Sequence, residues 1–475
     1  MKMMKALFYA VSVMIAFTGC NSIDLQTEEP NAPQEWKVSI QATKGDASGQ
    51  TKALSESGST ITASWEAGDV VYICNTDYNY GVLTAQSSGT STLLTGSISK
   101  TPTVGKQYTL RYLQKGENYL YLPNQKGSLA DIAKNHDMAE ATVTVKSING
   151  NEVTFEETSV QFESKISITK FTFNRSIKDV TVFCSNLKTY VRPNYTANYG
   201  FVNVNPDEAT STVYVAMSTL EDKKAVFLFL AKGEDGLYYI AAKKAQLENG
   251  KNYAATVALT AMPDRVDLGI VRDEKPTYWA TKNLGANRPG EVGNYYAWGE
   301  TSPKTTYSWD NYAWGKYCAV TKYNPDRSDQ GTVDGRAYLL PEDDAATAAL
   351  GEGWRMPSYD DFNDLLNKSN VEQLLSFADG IWGYCFHSVV EGYEGKFIFI
   401  PMTNGYYKDD VLTSTLAWPD KFNGGAYWSN KIDQVSWTSA SFANTLKFSN
   451  SIYSSPETSM MDRAYGLAVR PVYVH

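Results

Sequence analysis

The segment WKVSIQA, residues Trp36–Ala42, alternates apolar and polar side chains at every position. A period of two puts one set of side chains on each face of an extended chain, so this segment predicts a β-strand with one buried face. Short runs rich in β-branched and aromatic residues follow, each bounded by Gly, Asn, Ser or Pro. They are Val70–Ile73, Tyr108–Tyr112, Tyr119–Leu122, Ala141–Val145 and Val153–Phe155. Their spacing is typical of a β-sandwich.

A second series of runs with the same character begins near residue 165. Ile166–Phe173 alternates strictly, and the later members are Val180–Phe183, Thr212–Ala216, Ala225–Leu230, Tyr238–Ala241 and Tyr253–Leu259. No long amphipathic helical pattern interrupts either series. The sequence therefore predicts two all-β domains in series, covering residues 36–165 and 166–262.

Three features of this region resemble the fimbrillin-like surface lipoproteins. They are Ser64–Asp69 (SWEAGD) ahead of a strand, Tyr119–Pro123 (YLYLP), and Leu247–Tyr253 (LENGKNY) followed by an alternating strand. The resemblance covers about half of the chain and implies two transthyretin-like β-sandwiches. It also implies export as a lipoprotein and assembly into pili by strand exchange between subunits, which is a form of β-augmentation.

Within the first of these features, Trp65–Asp69 is interpreted as a turn that marks the fold and is not a binding site. Gly68 permits the backbone reversal, Asp69 forms local hydrogen bonds, and Trp65 packs beneath the turn.

The resemblance also implies a processing event near the N-terminal strand. A trypsin-like protease would remove Trp36–Ala42 and open an acceptor groove, with Lys44 and Lys52 as the candidate processing sites. The family more commonly has an Arg there, whereas the first Arg of this chain is Arg111. A membrane-anchored subunit that stays uncut is therefore the alternative.

The first twenty residues have the pattern of a bacterial lipoprotein signal. Lys2 and Lys5 precede the apolar run Ala6–Phe17, which is too short to span a bilayer, and Thr18-Gly19-Cys20 follows. This resembles a lipobox and implies that Cys20 is the lipidated residue of an outer-membrane, surface-exposed lipoprotein. An ordinary signal peptide with an incidental cysteine is the alternative. Residues 21–35 are polar and contain Pro, as expected for a tether.

The composition changes after Pro263, because nine of the eleven tryptophans lie beyond it. This change predicts a separate domain over residues 263–475. Its markers resemble the FISUMP, or major paralogous, domain, which has an α+β C-type-lectin-like fold. They are Tyr278–Ala286, Gly293–Glu300, Gly353–Ser358, Phe397–Pro401, Gly425–Ser429 and Tyr465–Val472. The whole chain is thus expected to be multidomain, with two all-β sandwiches followed by this α+β domain.

Several residues of the C-terminal region are expected to be structural. Trp279, Trp354 and Trp428 are predicted core anchors, and Arg355 and Arg470 are predicted to bind carboxylates or backbone carbonyls inside the fold. A helix is predicted after Ser358 as its N-cap, and a shorter one over Ala345–Leu350.

A candidate ligand-binding surface lies between Tyr427 and Tyr465, where polar and aromatic residues interleave as they do in binding surfaces. Its residues are Asn430, Asp433, Trp437, Ser439, Asn444, Asn450, Tyr453 and Arg463. A solvated loop rich in turn-forming residues explains the same composition, and the sequence leaves both interpretations open.

The composition argues against several other classes of protein. Lys and Arg number 43 against 52 Asp and Glu, for a net charge of -9, and no basic stretch is present to bind nucleic acid. The three His are far apart, and the five Cys show no metal-binding spacing. Glu342–Asp344 and the Asp360-Asp361 pair are expected to be solvated or helix-capping. We therefore expect no metal, no cofactor and no catalytic residues.

Two functions remain at this point. The first is a pilus-associated tip subunit whose C-terminal head binds host or microbial surface ligands and which joins other pilus subunits by strand exchange. The second is a stand-alone surface lipoprotein that binds glycan or protein without pilus assembly. The first predicts a location in the fimbrium, and the second a location at the outer membrane through the lipid anchor.

Overall fold

The computed structural model describes most of the chain from residue 35 onward. The described ranges are 35–44, 53–57, 60–75, 78–113, 120–188, 190–192, 195–197, 200–221, 223–407, 410–411, 424–432, 440–449 and 455–475. β-Strands dominate these residues, which confirms the prediction of a mainly β protein. Among them, no helix is long and apolar enough to cross a bilayer.

The described residues of the N-terminal region form twelve strands and one helix. The strands are β1 Trp36–Lys44, β2 Ala53–Ser57, β3 Thr60–Ser64, β4 Val70–Asn75, β5 Tyr78–Ala85, β6 Ser91–Ile98, β7 Gln107–Leu113, β8 Leu120–Tyr121, β9 Asn124–Gln125, β10 Met138–Asn149, β11 Glu152–Phe155 and β12 Ser159–Ser164, and the helix is α1 Leu129–Asn135. Eight strands form a sheet in the order β11-β1-β12-β10-β7-β4-β5-β6, and β6 also pairs with β1. The sheet thereby closes on itself around one apolar core.

The second region is built around one long strand. Its strands are β13 Ser167–Phe183, β14 Leu187–Lys188, β15 Tyr190–Arg192, β16 Tyr195–Ala197, β17 Phe201–Val204, β18 Thr210–Thr219, β19 Lys224–Gly233, β20 Tyr238–Gln246, β21 Asn252–Val257 and β22 Thr260–Ala261. β13 pairs with β18 and β21 in its first half and with β17 and β19 in its second. The sequence predicted two strands here, and the structure joins them because the ladder continues through a register shift near Ile177.

The first two regions share contacts beyond their connecting peptide. β8 pairs with β15, and β9 runs parallel to β17, so residues 120–125 belong to sheets of the second region. The two turns of α1 sit in the same segment and bury Ile132 and Ala133. An apolar cluster that includes Ile132 and Ile168 fills the space between the regions.

In the C-terminal region, the residues that the structure describes form sixteen short strands and two α-helices. The strands are β23 Arg265–Arg272, β24 Lys275–Ala280, β25 Tyr295–Tyr296, β26 Gly315–Lys316, β27 Ala319–Val320, β28 Trp354–Arg355, β29 Val371–Ala378, β30 Ile381–Ser388, β31 Phe397–Pro401, β32 Tyr406–Tyr407, β33 Asp410–Val411, β34 Gly424–Ile432, β35 Phe442–Ser449, β36 Glu457–Asp462, β37 Leu467–Ala468 and β38 Val472–Val474. The helices are α2 Ala345–Leu350 and α3 Tyr359–Leu366, and 3₁₀ turns cover Ser328–Gln330 and Pro341–Asp343. β24, near the start of the region, pairs antiparallel with β38, near its end.

Most of the predicted structural residues of this region lie in its interior. Trp279 and Trp428 are fully buried, whereas Trp354 is partly exposed and packs edge-on against Tyr473. Ser358 caps α3 through a capping box with Asp361, and α2 begins at the predicted residue. Arg470 is fully buried and donates to the carbonyls of Ala280 and Phe399, while Arg355 donates to Asp361. The prediction of structural roles for the two arginines is confirmed.

The C-terminal region packs on the second region through a continuous apolar contact. Phe183 and Leu228 of the second region share one buried cluster with Phe397 and Phe399 of β31. The rings of Phe183 and Phe397 have centroids 5.7 Å apart. Tyr238 adds a hydrogen bond of 2.6 Å to Asp379. The C-terminal region and the second region therefore share one buried apolar interface.

Candidate functional site

The first strand occupies a central place in the first sheet. β1 runs antiparallel to β6 over eight residue pairs, from Trp36 opposite Ile98 to Thr43 opposite Ser91. On its other edge it runs parallel first to β11 and then to β12. A groove of about 600 Å³ opens beside residues 37–40 of β1. Removing β1 would therefore leave a slot with unpaired hydrogen-bonding groups on both sides.

Alternate side chains of β1 fill the core of the first region. Trp36, Val38, Ile40 and Ala42 are buried in one cluster, whereas Lys37 and Ser39 face solvent. The alternation that predicted the strand is thus the alternation that anchors it. Any strand replacing β1 must supply apolar residues at every second position.

The inward-facing series continues to Lys44, the last residue of β1. Lys44 is only 5% exposed, and its Nζ lies 3.3 Å from the ring centroid of Trp65 and 4.1 Å from that of Tyr112. The same Nζ lies 3.9 Å from Oδ2 of Asp69. Burial lowers the pKa of Lys44 to about 7, although the charges of Asp137 and Asp69 act in the opposite direction.

Asp137 is the second carboxylate near this lysine and precedes β10. Its side chain is completely buried, and burial raises its pKa to about 8. The nearby charge of Lys44 and the backbone amide of Met138 offset part of that rise. Neither carboxyl oxygen accepts a hydrogen bond of good geometry within the described chain. Lys44, Asp69 and Asp137 form a buried group, called here the Lys44 cluster.

The turn predicted for Trp65–Asp69 is present. The Asp69 amide donates to the Glu66 carbonyl, the Glu66 amide donates to Oδ2 of Asp69, and Gly68 has a φ of 93° that favours glycine. Trp65 is fully buried beneath the turn. The motif is structural, as predicted, but Asp69 also reaches the Lys44 cluster, which the sequence interpretation missed.

The structure describes only one of the two candidate processing sites, Lys44. Lys44 is hydrogen-bonded through its backbone to Thr90 and buried at its side chain, so cleavage there requires the end of β1 to leave the sheet first. Lys52 lies outside the described residues, as do the tether and Cys20.

Only three residues of the predicted ligand-binding surface lie in the described ranges. Arg463 is fully buried and donates to Tyr312 Oη and to the carbonyls of Lys322, Tyr323 and Ala440. Asn444 is buried and donates to the carbonyl of Ile432. These two residues hold the framework together, which corrects their assignment to a ligand-contacting surface.

Asn430, the third of them, is partly exposed at the end of β34. Its backbone accepts from Leu339 and donates to Pro357, so its position is fixed by two loops. The other five residues, Asp433, Trp437, Ser439, Asn450 and Tyr453, lie outside the described ranges.

Aromatic side chains that the sequence interpretation missed lie near the start of β35 and the end of β36. Tyr317 is 51% exposed and packs edge-on against Trp309 and against Phe442 of β35. Trp309 donates to a carboxyl oxygen of Asp462. Exposed aromatic rings held in place by neighbours are common in binding surfaces. The signal for them was the Trp and Tyr content of residues 307–317.

The described ranges contain few groups suited to metal binding or to cysteine chemistry. No group of three or more His, Cys, Asp or Glu there could hold a metal ion. Cys74, Cys184 and Cys385 are buried and Cys318 is exposed, and these four cysteines form no disulfide with one another. Burial raises the pKa of Cys184 to about 12, which makes its thiol unreactive.

The described residues form a mainly β protein that is built from several sheets. No protein-family model and no curated protein matches its sequence. Similar solved structures include the tip fimbrial protein Mfa3 of Porphyromonas gingivalis with a C-terminal truncation, at 11% identity over 46% of this chain and 85% of that chain, with a TM-score of 0.26. The shaft pilin SpaA of Lactobacillus rhamnosus GG is similar at 11% identity over 48% and 99% of the two chains, with a TM-score of 0.21. Similarity at this distance carries no function over to this chain.

Proposed function

We propose that this chain is a non-enzymatic surface adhesion protein, in which two β-sandwiches support the C-terminal domain as a binding head. The observation that carries this proposal is the place of β1, an N-terminal strand inserted between β6 and the pair β11 and β12. A strand in that position is the element that strand exchange between pilus subunits would replace. Cys20 would hold the protein at the outer membrane before assembly.

In the first form of this function the chain is a pilus-associated tip subunit. The head then takes the distal position, and β1 gives way to a strand of the next subunit. Support comes from the firm attachment of the head to the second sandwich through Phe183, Phe397 and Phe399, because an adhesin must transmit force from ligand to pilus.

The head would recognise a surface glycan or protein through exposed aromatic and polar residues. Tyr317 and Trp309 are the described members of that surface, and Asn430 lies at the end of β34. Trp437 and Tyr453, the two aromatic residues of the surface proposed from the sequence, are added to them. Aromatic faces that stack on sugar rings or apolar side chains suit both ligand classes.

A stand-alone surface protein that keeps β1 is the second form of the function. The burial of Lys44 favours it, because the last side chain of β1 is enclosed by Trp65, Tyr112 and Asp69 of its own domain. Such a strand is held at both ends without a partner subunit.

The N-terminal sequence of the protein released from intact cells, together with immunogold labelling, distinguishes the two forms. A new N-terminus after Lys44 or Lys52 with gold at filament ends supports the tip subunit. An acylated Cys20 with gold at the outer membrane supports the stand-alone protein. Label along pilus shafts contradicts the tip form, and label confined to the cell interior contradicts both forms.

A further inference from the structure

The Lys44 cluster places an amine and two carboxyl groups in the core of the first sandwich. Lys44 ends β1, Asp69 lies in the turn before β4, and Asp137 precedes β10, so three separate segments meet there. The walls are aromatic, because Trp65 packs edge-on against Tyr112 and Phe162 with ring centroids 5.8 and 5.3 Å apart.

The cluster is poorly satisfied as a set of ordinary buried charges. Lys44 Nζ makes no hydrogen bond within the described chain, and neither oxygen of Asp137 accepts one of good geometry. The lysine faces two aromatic rings and approaches Asp69 at 3.9 Å, outside hydrogen-bonding distance. Buried charges are normally paired and hydrogen-bonded, since each unsatisfied group costs folding free energy. A permanent ion pair therefore explains these positions badly.

The environment favours uncharged forms of both groups. Burial lowers the pKa of the Lys44 amine to about 7 and raises the pKa of the Asp137 carboxyl to about 8. Burial thus favours a free amine and an undissociated carboxylic acid within the same buried cluster. A desolvated lysine amine is a nucleophile, and an undissociated carboxyl group is the form of an acid that an amine can attack.

We propose that Lys44 and Asp137 condense to an amide bond, an internal cross-link between the end of β1 and the start of β10. The lone pair of Nζ attacks Cγ of Asp137, and a new N–C bond forms. The C–O bond to the hydroxyl group breaks, and the hydroxyl leaves with one proton of the amine as water. No atom changes oxidation state, and no co-reactant is consumed.

Asp69 is positioned to carry the proton in this step. Its Oδ2 is the carboxyl oxygen nearest to the amine, and its backbone turn fixes its place through the Glu66 amide. A carboxylate there can accept a proton from the attacking nitrogen and return it to the leaving hydroxyl. The aromatic walls exclude water, which would otherwise favour the reverse reaction, hydrolysis of the amide.

The proposal goes beyond the function given above and bears on its two forms. A β1 strand joined to β10 cannot be exchanged for a strand of another subunit, so the cross-link selects the stand-alone form. Ligand binding by the head does not depend on the bond. Failure of the cross-link therefore leaves the adhesion function to be judged by its own tests.

Tandem mass spectrometry of a tryptic digest tests the bond directly. The chain from residue 21 is purified, incubated overnight at neutral pH and digested after unfolding. The cross-link predicts that trypsin leaves Lys44 uncut and that residues 38–52 are recovered joined to residues 135–146, one water lighter than the two peptides together. Cleavage after Lys44 and a free peptide 135–146 would overturn the proposal. A bond from Lys44 to the peptide that carries Asp69 would overturn the assignment to Asp137.

Matched variants distinguish loss of the cross-linking reaction from loss of the folded structure. Lys44→Arg keeps a cation at the end of β1 and is expected to give no cross-link, whereas Lys37→Met alters an exposed lysine of the same strand and leaves the cross-link complete. Asp137→Asn can still form the bond by releasing ammonia, so its product converges on the mass of the cross-linked parent. Asp69→Ala is expected to slow formation by at least tenfold. Circular dichroism of each variant verifies that it is folded, and the parent digest decides the question even if every variant unfolds.

Discussion

The inward side chains of β1 are expected to set how tightly the first sandwich holds this strand. Ile40 is buried in the first core and faces Leu94 of β6, whereas its neighbour Ser39 faces solvent. Ile40→Ala removes three buried carbons and leaves a cavity. At about 0.8 kcal/mol for each carbon plus a cavity contribution, the loss is about 3 kcal/mol. Ser39→Ala is expected to change stability by no more than about 0.5 kcal/mol.

A peptide-binding assay measures the loss of free energy at β1 itself. A specific protease site is placed between residues 45 and 52 of a Lys44→Met chain, which cannot form the cross-link. After cleavage, a fluorescent peptide of residues 35–44, also with Met at 44, competes for the vacated slot. A loss of 3 kcal/mol predicts that an Ile40→Ala peptide binds about a hundredfold more weakly than its parent.

A control peptide tests whether only the inward-facing side chains of β1 anchor the strand. A Ser39→Ala peptide should bind like its parent, because its side chain lies outside the core. Equal binding of the Ile40→Ala and Ser39→Ala peptides would refute the claim that alternate side chains anchor β1. Denaturant unfolding of the intact chain with the same substitutions gives an independent value for the same free energy.

Two further predictions concern the second sandwich and the head. Phe399→Ala at the contact between them should lower the free energy of unfolding by about 3–5 kcal/mol, whereas the exposed Leu237→Ala should have almost no effect, as measured by urea unfolding. Burial and the neighbouring Asp379 raise the pKa of Asp179 from 3.8 to about 6, so the undissociated form favours the folded state and its stabilising effect is lost as pH rises from about 4 to above 6. Asp179→Asn should flatten this part of the stability profile, and a profile unchanged by that substitution would contradict the assignment.

Much of the fold could be predicted from local patterns. The strict alternation of Trp36–Ala42 and of Ile166–Phe173 marks strands with one buried face, and Ser358 with Asp361 marks the start of α3. These features depend on residues close together in sequence, so a single sequence carries them. Helix α1 escaped prediction because its two turns owe their stability to packing against the second region and not to a long periodic pattern.

The candidate site was harder to predict because its key residues are polar groups in unexpected places. The sequence predicts Lys44 as a candidate processing site, although it falls on the same phase as Val38, Ile40 and Ala42 and therefore points inward. That phase was the available signal. Arg463 carried no comparable signal, because its burial depends on carbonyls contributed by residues more than a hundred positions away in the sequence, such as Lys322 and Tyr323.

The attachment of producing cells to surfaces tests directly whether this chain is an adhesion protein. Cells that display the parent chain are compared with cells that lack it and with cells that display a Trp437→Ala, Tyr453→Ala chain, on a layer of epithelial cells and on a layer of a second bacterial species. Flow cytometry on intact cells equalises display. We expect the parent chain to promote attachment to at least one layer and the double substitution to remove most of that attachment at equal display. Attachment to both layers that is the same with and without the chain would contradict this expectation.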